Sequence, residues 1–298
     1  MSNRNIQISF EVDPNRQMKV LDNLIEEGVE PDIDGEPVLV WLAEEGHTEL
    51  VKKLEVIRRK NVGFYSNLTF PTETFSKALY MASKNGHTQI VQILMKNSIV
   101  KISEVSPVNT EYNYDYGNYN KIIEAFLISI KQGHTEIAKL YIEAGIDSTV
   151  KNNKALYYAS AQGHTQIVEM LIKSILKKYE NRKKQIANKK RRYILDNDEK
   201  EMFDSIFYMA VYYGHTEILK LLLKLQKKLY ENYKARSLND ELVRLATIHG
   251  HTQMVKELVN VGINVDSHYI QEALKIAAKY KHSEIERILK NAWRYVKR

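Results

Sequence analysis

The chain has 298 residues, of which 44% are hydrophobic and none is cysteine, and its net charge is +7. That hydrophobic share is ordinary for a folded protein; the missing cysteine excludes disulfides, a thiolate nucleophile and cysteine-ligated zinc, and fits a reducing cytosol. No apolar run approaches the roughly 20 residues a membrane span needs, and the opening MSNRNIQISFEVD lacks the apolar stretch of a signal peptide.

In chain order, the first fifty residues are strongly acidic, with a net charge of −9. Within about residues 5–30, Val20, Leu21 and Leu24 share one helical face and Gly28 follows them, which predicts a single N-terminal helix. Predicted helix pairs come next, each hinged on a Gly-His-Thr tripeptide beginning at Gly46, Gly86, Gly133, Gly163, Gly214 or Gly250, with Lys281-His282-Ser283 as a degenerate seventh copy. Successive copies stand 40, 47, 30, 51, 36 and 31 residues apart. A period in that range marks stacked supersecondary units.

Two spacings hold insertions, at about residues 97–120 and 173–203. The first carries Tyr112, Tyr114, Tyr116 and Tyr119; if extended, alternate residues place three of them in one aromatic patch, and otherwise the segment is a polar loop with no partner. The second opens with residues 173–192, net +9, which leaves the rest of the chain at −2. Helix formers dominate there and predict a helix lengthened past its neighbours. Three readings stand for its cations: a solvated helix extension, a nuclear localisation signal, or binding of nucleic-acid phosphates or anionic lipid. The candidate basic patch is Lys183, Lys184, Lys189, Lys190, Arg191 and Arg192. A second long helix, about Glu217–Lys234, presents Leu222, Leu225 and Leu229 on one face as a packing partner. The chain closes with a capping helix at about residues 284–298, which folds Trp293 onto the last repeat.

Alignment on the turn residue yields columns. Seven before it stand Leu39, Leu79, Phe126, Leu156, Phe207, Val243 and Leu274, and four before it mostly small residues, Ala82, Ala159, Ala210, Ala246 and Ala277 among them. Four and eight after it stand large apolar residues, such as Ile90 with Leu94 and Ile167 with Leu171. These spacings mean two amphipathic helices around a tight turn, with small residues where neighbouring helices approach closely. Gly suits the left-handed end of the first helix, and Thr is expected to cap the second through its hydroxyl.

The stretches ALYMASKNGHTQIVQILMKN and ALYYASAQGHTQIVEMLIKS resemble the ankyrin repeat, as do AGIDSTV and VGINVDS after the second helix. The resemblance runs from about Arg16 to about Ala292. It implies an all-α, ankyrin-like helical solenoid of about seven repeats with long inter-repeat insertions, forming one domain over residues 1–298. The Thr-Pro start of the family's first helix is missing from every copy, and the spacings of 40, 47 and 51 exceed its roughly 33 residues. The resemblance further implies a non-catalytic, monomeric protein that binds a partner protein through a concave groove, using the two residues before each turn. Here those residues run from Glu44-Glu45 to an aromatic group of Tyr212, Tyr213, Ile248, His249 and Tyr280. Such a stripe is either an interface or packs against the insertions. The richness in Lys, Asn, Ile and Tyr is similar to that of ankyrin proteins from intracellular bacteria and large DNA viruses that act on host proteins.

Seven histidines at one repeat position invite a metal reading. Neighbouring repeats put them about 8–10 Å apart, whereas zinc ligands lie about 2 Å from their ion, so no metal and no cofactor is expected. No P-loop, G-x-S-x-G or H-E-x-x-H motif occurs. Catalysis is not expected, and the expected location is cytoplasmic, with the basic segment offering nuclear entry.

Overall fold

The computed structural model of the chain describes residues 7–8, 14–27, 32–33, 36–61, 73–97, 116–187, 197–229, 236–262 and 268–296. The fold is all-α and built of helical repeats, with fifteen helices among the described residues. By internal contact they divide into two compact units, Met1–Asp147 and Ser148–Arg298.

Unit 1 begins with β1 (Gln7–Ile8), α1 (Pro14–Glu26), β2 (Asp32–Ile33) and β3 (Glu36–Pro37). β2 pairs in parallel with β1 through Gln7↔Asp32 and in antiparallel with β3 through Ile33↔Glu36, a small sheet that no periodicity in the sequence announces. Three helix pairs follow: α2 (Val38–Glu45) with α3 (Thr48–Asn61), α4 (Glu73–Asn85) with α5 (Thr88–Asn97), and α6 (Tyr116–Lys131) with α7 (Thr135–Glu143). The single N-terminal helix is α1, packed on α3 and held there by Lys53, whose ammonium donates to Asp22 and Glu26 at 2.6 and 3.0 Å. Its buried residues are Leu21 and Ile25. Val20, assigned by spacing to the same face, is 46% exposed.

Unit 2 holds four pairs: α8 (Val150–Ala161) with α9 (Thr165–Ala187), α10 (Asn197–Tyr212) with α11 (Thr216–Leu229), α12 (Arg236–Ile248) with α13 (Thr252–Val261), and α14 (His268–Lys279) with α15 (Ser283–Val296). First helices pack on first helices and second on second. The residue four before each turn is fully buried wherever it is Leu or Ala, and Ser129 is as buried as they are. Small side chains in this column let successive first helices approach. The columns four and eight after the turn form the inner core in both units, from Ile90 and Leu94 to Ile285 and Leu289. Each such side chain contributes about 1.5–3 kcal/mol on burial.

The described parts of the two insertions, residues 116–120, 173–187 and 197–203, are helix. α9 runs for 23 residues, and beside it α11 buries Leu222 and Leu225 while α9 buries Ile172 and Ile175. α6 starts at Tyr116, inside the first insertion, and α10 at Asn197, inside the second. The terminal helix α15 is the second helix of the last pair, and Trp293 on it is 37% exposed. Among the described residues no helix is long and apolar enough to cross a membrane.

Candidate interaction surface

The surface is laid out by the turn, so its backbone comes first. At the end of each first helix the turn residue takes a left-handed conformation, with φ of +81° at Gly46, +77° at Gly163 and +79° at Gly214. The following His N–H then donates back to the carbonyl five residues earlier, at 2.8–2.9 Å in all seven copies, from His47 to Leu42 through His282 to Ala277. This closes the first helix in the Schellman manner. The His itself sits in an inverse γ-turn conformation, with φ −76° and ψ 78° at His134, and across it the Thr N–H reaches the Gly carbonyl, at 2.8 Å from Thr48 to Gly46.

Thr does not cap the second helix. His134 and His251 occupy the cap positions without side-chain caps, and Thr is the first helical residue. Its hydroxyl donates backwards to the Gly carbonyl, at 3.4 Å from Thr48, Thr88 and Thr135. The second helix therefore starts one residue earlier than a Thr cap requires.

The His ring reaches the preceding repeat. Its Nε2–H donates to the carbonyl of the residue two before the previous turn: His87 to Glu44 at 2.9 Å, His134 to Lys84 at 3.0 Å, His215 to Ala161 at 3.2 Å and His251 to Tyr212 at 3.4 Å. A carbonyl only accepts, so Nε2 carries the proton. The same ring lies flat against the previous turn glycine. A Cβ built on Gly46 would stand 2.6 Å from His87 Cε1, and one on Gly214 2.9 Å from His251 Cε1. Glycine is required here twice, by its φ and by its neighbour's ring. Each of these four imidazoles is a clamp between repeats, and among the described residues no group of three or more His, Cys, Asp or Glu is placed to hold a metal. His47, in the first pair, stacks on Trp41 with centroids 5.0 Å apart; burial pushes its pKa below the usual histidine value, Glu45 pulling the other way.

With backbone and His occupied, the two residues before the turn are left to point outward. Tyr212, Tyr213 and Tyr280 are 50%, 54% and 56% exposed, and Ile248 and His249 are exposed as well. The structure brings three of the five into one cluster: Tyr212 meets Tyr213 edge-on at 5.0 Å and His249 at 4.8 Å. Tyr280, two turns along from Tyr213, instead lies under the Lys279 ammonium at 5.4 Å. A relation invisible to the column reading recurs in three consecutive turns. The ring just before the turn stacks on the turn His of its own repeat: Tyr213 on His215 at 6.1 Å, His249 on His251 at 5.7 Å, Tyr280 on His282 at 6.0 Å, all within 25° of parallel. His215, His251 and His282 thus form the floor of the aromatic row. The signal that finds them is an aromatic residue two before His across a single intervening turn residue.

Of the other candidates, Tyr112 and Tyr114 lie outside the described residues, and Tyr116 is the first residue of α6, its side chain not described. Lys183 and Lys184 fall on the last turns of α9, their side chains not described, and Lys189, Lys190, Arg191 and Arg192 lie outside the described residues.

A family model described as ankyrin repeats, in three copies, matches residues 108–184 and 206–295, more than half of the chain. No curated protein matches the sequence.

Proposed function

The chain belongs to the ankyrin-repeat family, and from that premise we propose that it is a non-catalytic scaffold that holds a partner protein on the aromatic row of unit 2. Ankyrin repeats are in general protein–protein interaction modules. The observation that carries the reading is the cluster of Tyr212, Tyr213 and His249, solvent-facing rings packed edge to face on a floor of turn histidines. Tyrosine offers a large, stiff contact area with a hydroxyl at its edge, which is the chemistry of interface anchors. These rings are pre-positioned by stacking, so docking a partner onto them costs less side-chain entropy than ordering free tyrosines. The insertion at 97–120, with Tyr112, Tyr114 and Tyr116, supplies a second contact in this reading, and no enzymatic step is assigned to either.

The test is affinity capture from cell lysate by the full chain, compared with the Tyr212→Ala/Tyr213→Ala/Tyr280→Ala variant. The expected result is a partner retained by the wild type and lost by the variant. Identical partners on both would remove the row from consideration.

A further inference from the structure

The second helices of unit 2 carry a charged face that the repeat does not require. Gly163 and Gly214 set a common register for α9 and α11: Lys173 and Lys224 each stand ten residues after their turn glycine, Lys177 and Lys228 each fourteen after. The two helices pack side by side, their apolar residues Ile172, Ile175, Leu222 and Leu225 are buried, and all four lysines are exposed. Residues four apart on a helix place their Cβ atoms about 5–6 Å apart, and packed helices lie about 8–10 Å apart. The four stems therefore rise from the corners of a small rectangle.

None of the four is in an ion pair among the described residues. Lys220, one turn earlier on α11, is held by Glu217 at 2.8 Å and Glu257 at 3.6 Å. Lys52 on α3 is held by Glu49 at 2.6 Å. Nor is lysine demanded by the fold there, since the first of these positions holds Val56, Lys96, Glu143, Asn260 and Asn291 in the other repeats. Like charges four apart destabilise a helix, and two such pairs stacked on adjacent helices add repulsion across the row. A polyanion covering the face turns that cost into binding.

We propose that Lys173, Lys177, Lys224 and Lys228 form a docking face for the phosphodiester backbone of duplex nucleic acid, bound without reading base sequence. Lysine is a flexible point charge rather than a planar fork, so it suits phosphates and not base edges. The face is two parallel ridges, and a duplex presents two rows of phosphates flanking a groove. An anionic membrane fits less well, because stable attachment needs an apolar or lipid element besides charge, and these apolar residues are turned inward.

Fluorescence anisotropy of the full chain with a 20-base-pair mixed-sequence DNA duplex, between 50 and 200 mM NaCl, tests this. Four phosphate contacts give a slope of log K on log salt of about −3.6, a loss of about 150-fold across that range. The Lys173→Gln/Lys177→Gln/Lys224→Gln/Lys228→Gln variant is expected to lose that slope and to bind at least about tenfold more weakly at 50 mM. The corresponding four-arginine variant keeps both. Should the quadruple glutamine variant fold poorly, Lys224→Gln/Lys228→Gln is expected to remove half the slope, about 1.8. Three results overturn the proposal: no duplex binding by the wild type, an unchanged slope in the glutamine variants, or tighter binding to phosphatidylcholine vesicles containing phosphatidylserine than to the duplex. None of these touches the tyrosine row, which is tested separately.

Discussion

The turns of unit 1 and unit 2 share one backbone and differ in what they show to solvent. In unit 1 the two residues before each turn are Glu44-Glu45, Lys84-Asn85 and Lys131-Gln132; in unit 2 they are Ala161-Gln162, Tyr212-Tyr213, Ile248-His249 and Lys279-Tyr280. The His clamp is indifferent to this change, because it takes only the main-chain carbonyl at the first of the two positions, whether that residue is Glu44, Lys84, Ala161 or Tyr212. The difference teaches how the repeat separates its tasks. Stability is carried by Gly, by the His ring and by the carbonyl. The adjacent side chains are released from that duty and vary from charged to aromatic.

The sharpest way to break this comparison is at the glycine. Gly214→Ala combines a positive φ with a collision against His251, and is expected to cost about 2–3 kcal/mol. Gly262→Ala meets open space but holds φ 107° and ψ 126°, a positive-φ region outside the left-handed helix, and is expected to cost about 1–3 kcal/mol from backbone strain alone, read from its urea midpoint. Next in size is the clamp. His215→Ala in unit 2 and His87→Ala in unit 1 are each expected to cost about 1–2 kcal/mol, with equal values showing that the clamp ignores the neighbouring side chains. The seventh copy allows a change of opposite sign: Lys281 holds φ +59° without being glycine, so Lys281→Gly is expected to stabilise by about 1 kcal/mol in the same assay. Transplanting the aromatic pair, Lys131→Tyr/Gln132→Tyr, is expected to shift stability by no more than about 0.5 kcal/mol, since both positions are exposed.

The smallest effect is a pH dependence at His47. Its folded pKa lies below the ordinary value of 6.5, so the unfolded chain binds the proton more readily. The stability it contributes is complete above pH 6.5 and is lost as pH falls from there through the folded pKa. Thermal unfolding at pH 7.5 and 5.5 is expected to show a smaller acid loss in His47→Gln than in the wild type.

Much of the fold is legible in the residues because the repeat is a periodic packing problem. The small column at Ala82, Ala159, Ala210, Ala246 and Ala277 and the large columns from Ile90 and Leu94 onward follow the helical period, and burial enforces it. Period alone does not give the degree of burial at Val20, 46% exposed, or at Trp293, 37% exposed. It also misreads Thr, whose capping chemistry is generic while the actual hydrogen bond depends on the γ-turn that the His adopts. The candidate row was legible through the resemblance to the ankyrin repeat, which implies that the two residues before each turn face outward.

By itself, then, the amino-acid order determined the repeat, its core columns and the glycine at each turn, because each follows from spacing within one helix pair. Only the tertiary structure decided what the histidines do, that Tyr212, Tyr213 and His249 meet while Tyr280 stands with Lys279, and that α9, which carries Lys173 and Lys177, packs beside α11, which carries Lys224 and Lys228. Apart from the sequence neighbours Tyr212–Tyr213 and Lys279–Tyr280, these are relations between residues 37 to 54 positions apart. Their distances are set by how one repeat seats on the next, a geometry no local spacing contains.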